Sequence, residues 1–246
     1  MLVTGAAGAI GGALVRELAR GDGTARFSLV DREPVSHALG ARARTFAWDL
    51  SEPDALPAAW ADATCDDPVT TLVNCAGFME LVSFAGTSWE LGRALLDVDL
   101  VSPLRLMSLA VPSMRERGAG TIVNVSSMAG LVPIRGSSFY GAAKAGLAMA
   151  SEVARIELAT SGVHVLTVYP GPVASRLERR ARAQVASTRA ARAVPVGDPD
   201  ALARAIAKAM RRRAPRVVYP PLYAGAAEVL SIARRFTERF SPVPRA

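Results

Sequence analysis

The chain has 246 residues, half of them hydrophobic, with 29 basic and 22 acidic side chains and a formal net charge of +7. Such a length can bury one large core, and no uninterrupted apolar run approaches the ~18 residues that a membrane span needs. Two cysteines, Cys65 and Cys75, and two histidines, His37 and His164, are too few and too scattered for a disulfide framework, a metal site or a histidine-based triad.

The chain opens MLVTGAAGAIGG. Leu2–Thr4 reads as a short buried strand, Gly5, Gly8 and Gly11 follow at Gly-x-x-Gly-x-x-Gly spacing, and a helix is expected over Ala9–Arg20. Glycines at a strand-to-helix junction permit positive φ and let backbone N–H groups approach a ligand closely. The helix that follows turns its partial positive end toward that ligand, which suits a pyrophosphate. The uncharged stretch Met1–Val15 has a secretory apolar region as its rival reading, but no basic segment leads it and its glycines make a poor helix.

A second strand is expected over Arg26–Asp31, which puts Asp31 at its tip, 20 residues beyond Gly11. An acid there accepts hydrogen bonds from the adenosine ribose hydroxyls and repels a 2′-phosphate, which favours NAD. Arg32 next to it is a guanidinium that would welcome that phosphate, so NADP stays open. The remaining strands are expected at Arg44–Ala47, Thr71–Asn74, Thr121–Ser126, Val163–Tyr169 and Arg216–Tyr219. Helices are expected at Glu52–Ala61, Ser88–Arg117, Ser138–Thr160 and Pro199–Arg212. This alternation predicts an α/β fold, a doubly wound parallel sheet of about seven strands with helices on both faces. The strand-like runs are short and nearly free of charge, as strands buried on both faces must be. No repeat or linker divides the chain, so 1–246 is read as one domain.

Ligands of such sheets bind at the carboxyl ends of the strands. Asp49-Leu50, Asn74-Cys75-Ala76-Gly77, Ser126-Ser127 and Tyr169-Pro170-Gly171-Pro172-Val173 all fall at those ends. Tyr140 and Lys144 stand at i and i+4 in YGAAK, one above the other on a helix. A phenol ionises near ~10 and is a weak acid–base group at neutral pH. An adjacent ammonium is expected to lower that value. Ser127 can hydrogen-bond a substrate carbonyl oxygen while Tyr140 protonates the alkoxide left by hydride transfer.

TGAAGAIG, Asp49-Leu50, NCAG, the serine within NVSS, YGAAK and PGPV occur in order over residues 1–175. Together they resemble the short-chain dehydrogenase/reductase family, in its simple single-domain branch. The resemblance implies a seven-stranded Rossmann sheet, an NAD(P) cofactor and oxidoreductase activity on a ketone or aldehyde and its alcohol, with Ser127, Tyr140 and Lys144 as reaction centre. It also implies a cofactor cradle of Gly5, Gly8, Ile10, Gly11, Asp31, Arg32, Asp49, Leu50, Asn74, Ala76, Gly77, Pro170 and Gly171. Lys144 beside Tyr140 would grip the nicotinamide ribose, Val173 would offer its backbone to the carboxamide, and Ser175 would stand near that group.

One position departs from the family pattern. Where many members carry an Asn on the long helix before the fifth strand, this chain has Asp99. Pro103, four residues on, has no N–H for the carbonyl of residue 99, which leaves that carbonyl free to hold a water. A carboxylate there would also raise the Lys144 pKa and keep it charged.

The last third differs in charge. Residues 1–175 carry a net −4 and residues 176–246 a net +11. Residues 176–196 fall where the family has its substrate lid and hold Arg176, Arg179, Arg180, Arg182, Arg189 and Arg192. They are either a solvated basic face or an attractor for an anionic, acyl-type or carrier-bound substrate. Residues 197–246 form a divergent C-terminal part. A helix is expected over Ala224–Phe240, with Val229, Ala233, Phe236 and Phe240 in one stripe and Arg234, Arg235 and Arg239 elsewhere. It would pack on its own domain, on a second subunit or on an anionic membrane surface. Nucleic acid is not expected, because the basic segment lacks interleaved aromatics. The family resemblance further implies a homodimer or homotetramer through the helices of Ser88–Arg117 and Ser138–Thr160, with Ala142, Ala143, Ala145, Gly146 and Ala148 allowing close approach. The protein is expected to be cytoplasmic. A non-catalytic cofactor sensor on the same fold and a redox-assisted epimerase are the alternative functions.

Overall fold

The computed structural model describes residues 1–65, 67–185 and 194–224. Seven strands, β1 (Leu2–Thr4), β2 (Phe27–Asp31), β3 (Ala43–Ala47), β4 (Thr71–Asn74), β5 (Gly120–Val125), β6 (Val163–Pro170) and β7 (Arg216–Tyr219), form one sheet in the order β3-β2-β1-β4-β5-β6-β7. Every pairing is parallel. The order reverses between β1 and β4, which opens a crevice above their carboxyl ends. All residues of β4 and β6 are buried, which is why those runs carry no carboxylate, lysine or arginine. β3 forms one edge and leaves Arg44 and Thr45 exposed.

Helices cover both faces. α1 (Ala9–Gly21) packs with α7 (Pro199–Arg211) over a core that includes Val3, Leu14, Leu29, Leu166, Leu202 and Ile206. On the other face α2 (Leu56–Thr64) and α4 (Ser102–Glu116) cover Leu2, Leu72, Leu106, Met114 and Ile122. α2 starts later than the sequence suggests, because Pro53–Ala55 first make a 3₁₀ turn. α5 (Ser138–Glu157) and α6 (Arg176–Ala183) complete the set among the described residues. On α5, Ala143 and Ala148 face the interior of their own chain, which corrects their assignment to a subunit interface.

The single long helix expected over Ser88–Arg117 is interrupted. α3 (Trp89–Leu96) runs into a π turn over Asp97–Val101 and continues as α4. Pro103 cannot donate to the carbonyl of residue 99, and the Ser102 N–H reaches back five residues to the Asp97 carbonyl. Such π turns gather at functional sites, and this one carries Asp99.

Arg189, Arg192 and, past Ala224, the helix expected over 224–240 lie outside the described residues. Among the described residues no helix is long and apolar enough to cross a membrane. No group of three or more His, Cys, Asp or Glu there could hold a metal ion.

Candidate active site

The turn after β1 is closed by backbone contacts that leave no room for side chains. Gly5 has φ +70°, and a Cβ on it would stand 2.7 Å from the Ala76 backbone. A Cβ on Gly11 would overlap the Gly5 carbonyl. Gly8, at φ −73°, caps α1 without a side-chain hydrogen bond, and no acid occupies the first turn. The first N–H groups of α1 are thus left to an incoming anion. Thr4, which sequence reasoning passed over, ties the turn to the exit of β4. Its hydroxyl accepts the N–H groups of Cys75 (3.1 Å) and Ala76 (3.2 Å). Its place at a strand end just before Gly5 is the signal that could have marked it.

Asp31 lies beside the same turn. Its carboxylate accepts the Ala7 N–H at 2.9 Å and the Glu33 N–H at 3.1 Å. Asp49 accepts both the hydroxyl (2.7 Å) and the N–H (2.9 Å) of Ser51. Those bonds, with the charge of nearby Arg32, hold its carboxyl below the usual range. Three cradle positions point elsewhere. Leu50 is buried in the core between the sheet and α4, and Ile10 packs against the opposite core. Asn74 turns inward and donates to Asn124 Oδ1 at 2.8 Å and to the Pro103 carbonyl at 3.3 Å. Asn124, also missed in the sequence, passes the network on to Ser151 at 2.8 Å. Their side chains support the crevice from below rather than line it.

The four residues expected to carry chemistry do come together. Tyr140 and Lys144 share the buried face of α5, at 7% and 4% exposure, with Nζ 5.8 Å from the tyrosine ring centroid. Ser127 follows β5, and its Oγ accepts the Ala129 N–H at 3.1 Å. Lys144 Nζ donates to the Val125 carbonyl at 3.1 Å and lies 2.9 Å from Asp99 Oδ1. The approach to Asp99 is that of an ion pair rather than an aligned hydrogen bond. Ser126 Oγ donates to the Lys144 carbonyl at 2.7 Å and anchors α5 over the end of β5.

The electrostatics correct one expectation. Burial pushes the Tyr140 phenol above its ordinary pKa, and the charge of Asp99 adds to that; Lys144 and the Ser127 hydroxyl pull the other way without prevailing. Burial also disfavours the Lys144 ammonium, yet Asp99 and Tyr140 outweigh it and hold that pKa high. Asp99 is raised by burial against the pull of Lys144 and the Phe78 N–H. Burial lifts the neighbouring Cys75 thiol to about 12, which keeps it neutral.

The turn after β6 closes the far side. The Gly171 N–H donates to the Tyr219 carbonyl at 2.6 Å, and a Cβ on Gly171 would press on the Tyr223 ring. Pro170 is the last residue of β6, while Val173 is buried and pairs with Gly197. Ser175 accepts the Glu178 N–H at 3.0 Å and so caps α6. α6 is clasped to the segment after β4: Gln184 accepts the Leu81 N–H at 3.0 Å and bonds Glu80, and Arg180 pairs with Glu80. Ala181 and Val185 pack there on Leu81 and Met79. Arg182 pairs with Glu178, so two of the lid arginines are offset by acids. Nothing local in the sequence marks the clasp, whose halves lie 104 residues apart. Among the described residues His37 and His164 bond backbone groups, the Leu39 N–H and the Ala214 carbonyl.

A family model for short chain dehydrogenases matches residues 1–186. The ketoacyl reductase HetN of a Nostoc species is 30% identical over 225 residues, which cover 89% of this chain and 77% of that protein. A cis-4-hydroxycyclohexanecarboxylate dehydrogenase of Sinomonas cyclohexanicum is 35% identical over 219 residues, covering 84% of this chain and 86% of that protein. Among solved structures, a short-chain dehydrogenase from Sphingobium yanoikuyae in complex with NADPH superimposes with a TM-score of 0.80 at 28% identity, covering 97% of this chain and 94% of that one. The order of the strands, the crevice at their reversal and these likenesses agree, and the chain belongs to the short-chain dehydrogenase family of NAD(P)-linked oxidoreductases.

Proposed function

We propose that the protein interconverts a ketone or aldehyde with its alcohol, prefers NAD, and uses Ser127, Tyr140 and Lys144 as its reaction centre. The observation that carries this reading is the buried Tyr140 phenol with Lys144 on the same helical face and Ser127 entering from the end of β5. The crevice fits a dinucleotide by its own chemistry. The N-terminus of α1 has no side-chain cap, and the glycine turn excludes any Cβ where it meets Ala76. Gly5, Gly8 and Gly11 with the α1 N–H groups would hold the pyrophosphate, and Asp31 would take the adenosine ribose and disfavour a 2′-phosphate. Hydride exchange at the substrate carbon is the chemistry that the dinucleotide supplies when bound.

The chain's own residues handle the proton and the oxygen. Ser127 Oγ hydrogen-bonds the substrate oxygen and steadies its developing charge, and Tyr140 delivers its phenolic proton to that oxygen. Lys144 stabilises the phenolate left behind. In the alcohol-to-ketone direction the same phenolate takes the proton back. Arg176 and Arg179, exposed on α6 and without an ion pair among the described residues, support an anionic or acyl-type substrate. The substrate classes named for the two relatives agree with that. The chain acts in this reading as one domain, residues 1–175 forming the core and 176–196 the lid, in a homo-oligomer in the cytoplasm.

Tyr140→Phe tests the centre. Turnover of any ketone that the parent protein reduces is expected to fall at least ~10²-fold while NADH binding, followed by fluorescence, persists. Turnover near the parent level would remove Tyr140 from the proton-transfer role.

A further inference from the structure

Asp99 has no solvent exposure, and its only charged neighbour among the described residues within ion-pair distance is Lys144. A buried carboxylate costs several kcal/mol in lost hydration unless something compensates it. Lys144 supplies the compensating charge, and three elements converge on the pair. The π turn brings Asp99, the exit of β4 brings the Phe78 N–H and the bare Cα of Gly77, and α5 brings Lys144. The exit of β5 supplies the Val125 carbonyl as a second acceptor for the ammonium. Lys144 is therefore held between the Asp99 carboxylate and the Val125 carbonyl, with Nζ 5.8 Å from the Tyr140 ring centroid. The groups that act electrostatically on the phenol are Lys144, Asp99 and the Ser127 hydroxyl. Lys144 also faces Cys75 after β4, and Cys75 in turn feels Asp31.

Opposite charges 2.9 Å apart look from a third group more like a dipole than like a bare cation. A dipole's potential falls off faster with distance than that of a single charge. We propose that Asp99 is a positioning residue that fixes Lys144 as a cation and, by cancelling part of its field at Tyr140, favours the protonated phenol over the phenolate, so that the resting centre is set to donate a proton in carbonyl reduction. The final clause rests on the oxidoreductase reading above; the relation between Asp99 and Tyr140 does not. In that step a bound reduced nicotinamide would supply the hydride to the carbonyl carbon. The Tyr140 O–H bond breaks as an O–H bond forms on the product oxygen, and the phenolate is left beside Lys144. Asp99 exchanges no proton with the substrate.

The test uses the full chain without cofactor. Ultraviolet difference absorbance reports phenolate formation as pH rises, and subtracting the same titration of Tyr140→Phe removes Tyr169, Tyr219 and Tyr223. Asp99→Asn removes the opposing charge while the forming phenolate still favours the Lys144 ammonium, and it is expected to move Tyr140 ionisation down by on the order of one unit. Should that variant fail to fold, Asp99→Ala, which leaves room for a water, carries the same expectation. Ionisation that stays in place or moves up overturns the proposal. With an alcohol substrate, the acid limb of the oxidation profile is expected to move to lower pH in the variant; a uniform drop without movement assigns Asp99 a merely structural role and also overturns it. A shifted titration in a protein that reduces no carbonyl upholds the Asp99–Tyr140 relation and removes the reductase reading. Carbonyl reduction with an unshifted titration does the reverse.

Discussion

Gly77 and Asp99 are in such close contact that a Cβ on the glycine would overlap the carboxylate and stand 3.2 Å from Lys144 Nζ. The glycine of NCAG thus makes room for an ion pair. Overpacking of this kind costs about 1–3 kcal/mol. A misplacement near 1 Å at a reaction centre costs up to about 10²-fold in rate. Gly77→Ala is expected to lower the thermal unfolding midpoint and to cut turnover at least about tenfold. Turnover equal to the parent's would show that the pair yields without consequence.

Asp31 accepts two backbone N–H groups, so its charge and its structural role can be separated. Asp31→Asn keeps an acceptor oxygen and removes the repulsion toward a 2′-phosphate. The parent is expected to bind NAD more tightly than NADP, and the variant to narrow that gap at least about tenfold. Fluorescence titration with both nucleotides measures it; tighter NADP binding by the parent would contradict the assignment of Asp31.

Glu152 joins α5 to the start of β7 by accepting from Arg216 at 2.6 Å, and it also accepts from Arg155 at 3.1 Å. Burial pushes its carboxyl up, but the two arginines outweigh burial and hold it below the ordinary glutamate value. A carboxyl depressed in the folded state stabilises above its unfolded pKa, and that contribution is lost as pH falls through the folded value. Both arginines are partly exposed and screened, so Glu152→Gln is expected to cost about 0.5–1 kcal/mol near neutral pH. Urea unfolding should show the cost shrinking toward zero below the carboxylate range. A penalty that persists in acid would assign it to packing.

Met149, Val153 and Ile156 follow one another along α5 at 67%, 43% and 66% exposure, beside Gly146, which packs against Leu100. A row of large apolar side chains facing water marks an interaction surface. A two-fold contact through this face is expected, and Val153→Arg would bring like charges together across it. Light scattering should report a dimer or tetramer for the parent and a smaller mass for the variant. A monomeric parent at micromolar concentration would contradict the assembly.

The alternation of short charge-free runs with helical ones was enough to predict a seven-stranded parallel sheet, because strands buried on both faces cannot hold solvated charges. The glycine turn and the Tyr140–Lys144 pair were legible for an equally local reason, since strand-to-helix junctions and i, i+4 spacing are short-range geometry. Pro103 marked one missing hydrogen bond, at the carbonyl of residue 99, but the break of the long helix into a π turn depended on which carbonyl the Ser102 N–H could reach. Side-chain direction and burial were decided elsewhere. Leu50 and Asn74 stand at the right strand ends but face the core and the Asn124 network, because the neighbours that claim them come from α4 and β5. Lys144 alone suggested an acidified phenol; the tertiary structure buries that phenol and sets Asp99 against the lysine, and the sign reverses. The Glu80–Gln184 clasp joins residues 104 positions apart. Local sequence carries periodicity and spacing, whereas the dielectric around a charge and the partner it meets belong to the folded chain.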